Sequence, residues 1–105
     1  MSQFSIYANA NASTKSMYPY LLNVQSSLLD SLDTRIVIPL SLVSKFNDKP
    51  ISNLTPIISI KGSDYILLTA QMAGVHKKNL GSLILDLSSM RQTVISAIDF
   101  LITGF

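Results

Sequence analysis

The apolar residues of this chain change their period once, after Ser82. Upstream, short runs alternate apolar and polar positions or form β-branched blocks. Downstream, Leu83, Leu87, Met90, Val94, Ile98 and Leu101 follow one another at intervals of three or four, which draws one apolar face along a helix of roughly five turns. A pattern of period 3.6 does not sit as a strand, nor one of period two as a helix. The chain is thereby constrained to several antiparallel strands followed by one C-terminal helix, an α+β or barrel-like small domain covering residues 1–105.

The strand signals come in order. "FSIY" (Phe4 to Tyr7) alternates and is rich in strand formers, and "ANANASTKS" after it is small, polar and aperiodic, a mobile loop. "YPYLLNVQS" is extended, since Pro19 disfavours a helical Tyr18. "SSLLDSLDT" is a turn leading into "TRIVIPL", the strongest strand of the chain. Its block Ile36, Val37, Ile38 predicts cover on both faces, and Pro39 predicts the strand's end or a bulge. "NDKP" is a turn. "TPIISIKGSDYILLT" predicts a hairpin with strands Ile57 to Lys61 and Tyr65 to Thr69 and a turn through Gly62 to Asp64. "AQMAGVHKKNLGS" is a short extended piece followed by a loop.

With 48% hydrophobic and only 13% charged residues, against about 25% charged in an average soluble domain, the chain is not a disordered one. Part of its apolar surplus is expected against another chain. The net charge of +2 comes from 8 basic and 6 acidic side chains. The basic residues are scattered, so the clustered footprint of a nucleic-acid surface is missing. No run approaches the ~20 apolar residues of a membrane span, and the N-terminal residues lack a leader pattern, which predicts a cytoplasmic protein.

Catalytic constellations are hard to assemble. No cysteine is present, and the one histidine, His76, sits beside Lys77 and Lys78 with no orienting carboxylate, as a surface loop residue does. A metal needs three or four converging ligands, and a phosphate loop needs clustered glycines; neither pattern occurs. A ribonuclease-like set could be drawn from Arg35 with Asp30 or Asp33, a combination of poor specificity. The reading is of a chain that is not an enzyme and carries no cofactor.

The last nine residues, "AIDFLITGF", are mostly apolar where chain ends usually fray. A hydrophobic C-cap accounts for part of this, with Gly104 as the left-handed residue and Phe105 packing back on Phe100. Asp99 opposes the helix dipole at a cost of some tenths of a kcal/mol. Phe100 projects from the flank of the polar face made by Ser89, Gln92, Ser96, Asp99 and Thr103.

Taken in order along nearly the whole chain, "FSIY", "YPYLLNVQSSLLDSLDTRIVIPL", "YILLTAQMAGV", "LG" and "AIDFLITGF" resemble the CcdB family of plasmid- and chromosome-borne toxins. The resemblance implies a homodimer whose SH3-like, plasmid-maintenance-toxin domain has a barrel-like antiparallel sheet, a small side sheet and a C-terminal helix. It implies the toxin of a type II toxin–antitoxin module that binds the A subunit of DNA gyrase and traps the cleaved DNA complex. A CcdA-like antitoxin with a disordered segment would neutralise it. No direct nucleic-acid or membrane partner is implied. Carried over by position, the gyrase surface would comprise Ser26 and Leu28 from the turn after "VQS" and Asp99, Ile102, Thr103, Gly104 and Phe105 from the helix end. Three positions depart from the toxic members: Thr103 stands for the usual Trp, Asp99 for the usual Asn, and Ser27 for the Asp of "VQSD". Threonine cannot reproduce a cation–π contact worth about 0.5 to 2 kcal/mol, whereas Asp99 could pair with a partner arginine. A non-toxic relative kept for antitoxin binding, or an endoribonuclease on a related toxin fold, are the alternatives. For the antitoxin, the loop Ala8 to Ser16 and Tyr7, Tyr18 and Tyr20, expected to be exposed, are candidates without assignment.

Overall fold

The structure, a computed structural model, describes residues 2–46 and 49–104. It contains β1 (Ser5–Asn9), β2 (Tyr20–Asn23), β3 (Thr34–Leu42), β4 (Ile57–Ile60), β5 (Ser63–Leu67), β6 (Ala73–His76), β7 (Leu80–Asp86) and one helix, α1 (Arg91–Thr103). The strands form a single antiparallel sheet in the order β4-β5-β3-β2-β1-β7, curled as a half barrel, and β6 pairs β3 off this path. The small side sheet that the resemblance implies is not a separate one among the described residues, since all seven strands join one sheet that branches at β3.

β3 is the spine of that branch. Thr34 to Val37 pair β6, Leu40 to Leu42 pair β5, and the other edge pairs β2 through Val37 to Leu40. Pro39, predicted to end the strand or sit at a bulge, lies inside it opposite Leu21. Its carbonyl accepts the Leu68 N–H at 3.0 Å, so its nitrogen faces the same side, where β6 has stopped and β5 has not begun. The missing N–H therefore breaks no ladder bond there.

Residues Val37 to Ser41 are all buried, as the β-branched block predicts, although Ile36 is 38% exposed. Ile38 and Leu40 enter the main core with Phe4, Ile6, Leu22, Ile58, Leu67, Leu87 and Val94. Val37 faces the other way, into a smaller cluster with Tyr7, Leu21 and Leu80. Deleting a fully buried aliphatic such as Ile38 would cost about 2 to 5 kcal/mol.

The hairpin of β4 and β5 turns more tightly than expected. Ile60 pairs Ser63, leaving Lys61 and Gly62 as a two-residue loop with φ of 51° and 83°, both in the left-handed region that a type I′ turn requires. The loop after β1 begins at Ala10 and is held by hydrogen bonds: Asn9 Nδ2 donates to Thr14 Oγ1 and to the Tyr18 carbonyl, at 3.0 and 2.8 Å. Of the predicted "NDKP" turn, Asn47 and Asp48 lie outside the described residues.

The helix starts later than its pattern predicts. Leu83 to Asp86 belong to β7, where Tyr7 pairs Leu83 and Ile6 pairs Leu85 with register shifts between them. Leu83 and Leu87 would share a helix face, yet Leu83 is 59% exposed and Leu87 only 4%. The open edge of β1 claims these residues, and strand pairing overrides a local period. Asp86 Oδ1 then accepts the Ser88 N–H at 2.8 Å and opens a 3₁₀ turn, Ser88–Met90, that hands over to α1.

α1 buries Val94 and Ala97 against the sheet, with Met90, Ile95 and Ile98 packed beside them. No side chain caps its N-terminus and no acidic residue lies in its first turn. Arg91, unfavourable there by the helix dipole, lies instead over the Phe4 ring at 5.2 Å. Phe4 itself is buried with a φ of 61°.

Candidate docking site

The turn between β2 and β3 has no buried residue in its 3₁₀ segment, Ser27–Leu29. Its shape must come from polar contacts. Ser26 Oγ accepts the Leu28 N–H at 3.2 Å, a side-chain cap on the segment. The Ser26 and Ser27 carbonyls accept the N–H groups of Leu29 and Asp30. Leu28 is left 91% exposed, the most open of the large apolar side chains among the described residues. Leu29 and Leu32 follow at 50% and 47%.

At the other predicted element, Gly104 has φ 79° and donates its N–H to the Phe100 carbonyl at 2.9 Å. This is the left-handed C-cap expected from "LITGF", for which a side chain at Gly104 would be strained. Thr103 Oγ1 donates to the Asp99 carbonyl at 2.7 Å, and the Gly104 N–H satisfies the Phe100 carbonyl, one of those that a helix end leaves orphaned. Ile102 is 72% exposed and Asp99 lies on the exposed polar face. Phe100 is half-buried. Phe105, the remaining predicted contact, lies outside the described residues. Ser26 and Leu28 thus stand together on one capped turn, and Asp99, Ile102, Thr103 and Gly104 together on one capped helix end.

The residues weighed for catalysis have structural roles. Arg35 is 3% exposed, and its guanidinium donates to the carbonyls of Leu32, Thr34 and Asp30. A side chain so committed offers nothing to a substrate. Asp33 pairs with Lys77 at 3.4 Å. His76 closes β6, exposed, with Nδ1 accepting the Lys78 N–H at 3.1 Å. No group of three or more metal-ligating side chains converges among the described residues.

The tyrosines are less open than the sequence suggests. Tyr7 is buried and its hydroxyl accepts the Ser2 N–H at 2.9 Å, while Tyr20 packs edge-on against Tyr65 at 5.0 Å. Burial and the Tyr20 hydroxyl push the Tyr65 phenol above its ordinary value. Tyr18 lines an open cavity of ≈ 530 Å³ with Met17, Lys45, Phe46, Leu68 and Gln71. Sequence reasoning misses this cavity because its walls come from segments far apart in the chain. It also misses Gln25, buried beneath the turn, whose Oε1 accepts the Ile36 N–H and whose Nε2 donates to the Leu29 carbonyl.

What has been assembled is an exposed apolar display on capped backbone, over a half-barrel sheet with one terminal helix. Among known families, the one described as CcdB protein matches residues 3–104 of the 105. A match over that share of the chain fixes its kinship: the chain belongs to the CcdB family, the toxins of toxin–antitoxin systems.

Proposed function

We propose that the protein is a gyrase poison: a homodimer, each chain one domain, that binds the DNA gyrase A subunit and holds the enzyme on cleaved DNA, acting by binding without bond-making chemistry of its own. The observation that carries this reading is the exposure of Leu28 and Ile102, at 91% and 72%, on elements whose backbones are already capped. Apolar side chains displayed on ordered backbone bind at low ordering cost. Leu29, Leu32, Ile36 and Leu101, each at least 38% exposed, supply the apolar area that a second copy would cover, and that dimer would join turn and helix end into one surface. By the resemblance alone, Ser26, Thr103, Gly104 and Phe105 are assigned to this surface as well, and Asp99 would pair with an arginine of the partner.

The antitoxin is proposed to lie elsewhere, along the cavity beside Met17 and Tyr18, where an apolar segment finds Phe46 and Leu68. A second reading, a non-toxic chain kept for antitoxin binding, is favoured by one observation. By the resemblance, Thr103 stands where the best-known toxic members carry Trp, and its hydroxyl is engaged inside its own helix.

Expression in a gyrase-dependent host separates the two. Gyrase poisoning predicts growth arrest that Leu28→Asp or Ile102→Asp relieves while the purified variants stay folded. Normal growth at high expression of the wild-type chain would favour the antitoxin-only reading.

A further inference from the structure

The turn from Ser26 to Asp33 buries none of its side chains deeply; every residue in it is exposed or half-exposed. A segment of this kind has no hydrophobic anchor, and left to itself it would sample many conformations. Two buried polar side chains beneath it change that. Gln25, 6% exposed, spans from the Ile36 N–H at 3.0 Å to the Leu29 carbonyl at 3.1 Å. Arg35, 3% exposed, donates through Nη2 to the Asp30 carbonyl at 3.1 Å and through Nη1 to the Leu32 and Thr34 carbonyls. Asp30 also brings a carboxylate oxygen to 3.9 Å from the guanidinium. From the far side, the Lys77 N–H donates to the Asp33 carbonyl at 2.8 Å.

Carbonyls at 29, 30, 32 and 34 are therefore tied down by two side chains, Gln25 from just past the end of β2 and Arg35 from the start of β3. Neither side chain faces outward. Burying a guanidinium is expensive unless its donors are satisfied; Nη1 and Nη2 find carbonyls while the buried Nε has none, and a buried polar network of this kind fixes one geometry for what it binds. Here it binds the backbone of the segment that displays Leu28.

We propose that Arg35 and Gln25 are positioning residues for the docking turn: they hold its backbone in the binding-competent shape, so that partner affinity depends on them without their touching the partner. This rests on the reading of Leu28 as a gyrase contact. Lysine at position 35 keeps the charge but cannot reach three carbonyls at once. Glutamate at position 25 keeps the acceptor for the Ile36 N–H but loses the donor for Leu29.

The test uses the full-length chain, Arg35→Lys, Gln25→Glu, Leu28→Ala and the pairwise combinations with Leu28→Ala. Amide hydrogen exchange is followed over residues 27–33 and over β1 to β3, and affinity for purified gyrase A subunit is measured alongside. Both positioning variants should exchange faster in the turn with the strand amides unchanged. Each should bind about tenfold more weakly, the cost of re-ordering about one residue on binding. On a Leu28→Ala background the loss should largely vanish, because the turn then has little left to position. If Arg35→Lys does not fold, Gln25→Glu decides alone. Unchanged turn exchange, full affinity in the variants, or a loss that simply adds to that of Leu28→Ala overturns the proposal. A wild-type chain that fails to bind gyrase sinks the functional reading and this role with it; a wild-type chain that binds while both variants bind equally well sinks the role alone.

Discussion

Leu28 carries the sharpest prediction because its exposure separates binding from folding. At 91% exposed, its truncation to alanine should change stability by no more than about 0.5 kcal/mol, measured by urea unfolding. The same truncation should weaken affinity for gyrase A by about 1 to 2 kcal/mol or more, as removing a central apolar side chain from an interface does. Asp99 behaves differently. Its charge sits in the last turn of α1, so Asp99→Asn should stabilise the free chain by a few tenths of a kcal/mol. If Asp99 meets an arginine, the same change should slow association with gyrase A and flatten its salt dependence, as stopped-flow measurements across ionic strength would show.

At the scale of elements, the entry to α1 is pH-sensitive in a defined sense. The Asp86 carboxylate accepts the Ser88 N–H, and that bond holds its pKa below the ordinary value of 3.8. A folded value lower than the unfolded one gives stability that is present above pH ~4 and is lost as pH falls through the folded value. The protection factor of the Ser88 amide, its exchange corrected for the intrinsic pH dependence, should fall as pH drops below ~4, and Asp86→Asn should remove that dependence. The same residue shows why apolar spacing alone misplaces the helix start. A step of four between Leu83 and Leu87 suits a helix, but Asp86 followed by Ser88 is a turn and capping signal at the true boundary. At the hairpin, Gly62→Ala should destabilise the fold by about 1 kcal/mol, read from thermal melts, because φ 83° is strained for a residue with a side chain.

Across the whole molecule, the α+β order, the β3 block and the glycine C-cap are legible in the sequence because each rests on local chemistry: β-branched runs, a period of 3.6, a left-handed glycine. The continuation of β3 through Pro39, the burial of Tyr7 and the clasp of Arg35 and Gln25 on the turn are not, since each depends on what lies across the sheet. The candidate contacts at the helix end and turn come from the resemblance, not from any motif with chemistry of its own. A dimer built on the exposed leucines predicts a melting temperature that rises with protein concentration, and Leu32→Asp should abolish that rise in calorimetry.

The central claim is that this chain holds gyrase on cut DNA through its turn and helix end. Purified gyrase, ATP and supercoiled DNA, incubated with the intact chain or with one lacking residues 103–105, should yield covalent gyrase–DNA adducts only with the intact chain. Absence of adducts at saturating intact protein, with the dimer shown to be folded, would contradict the account.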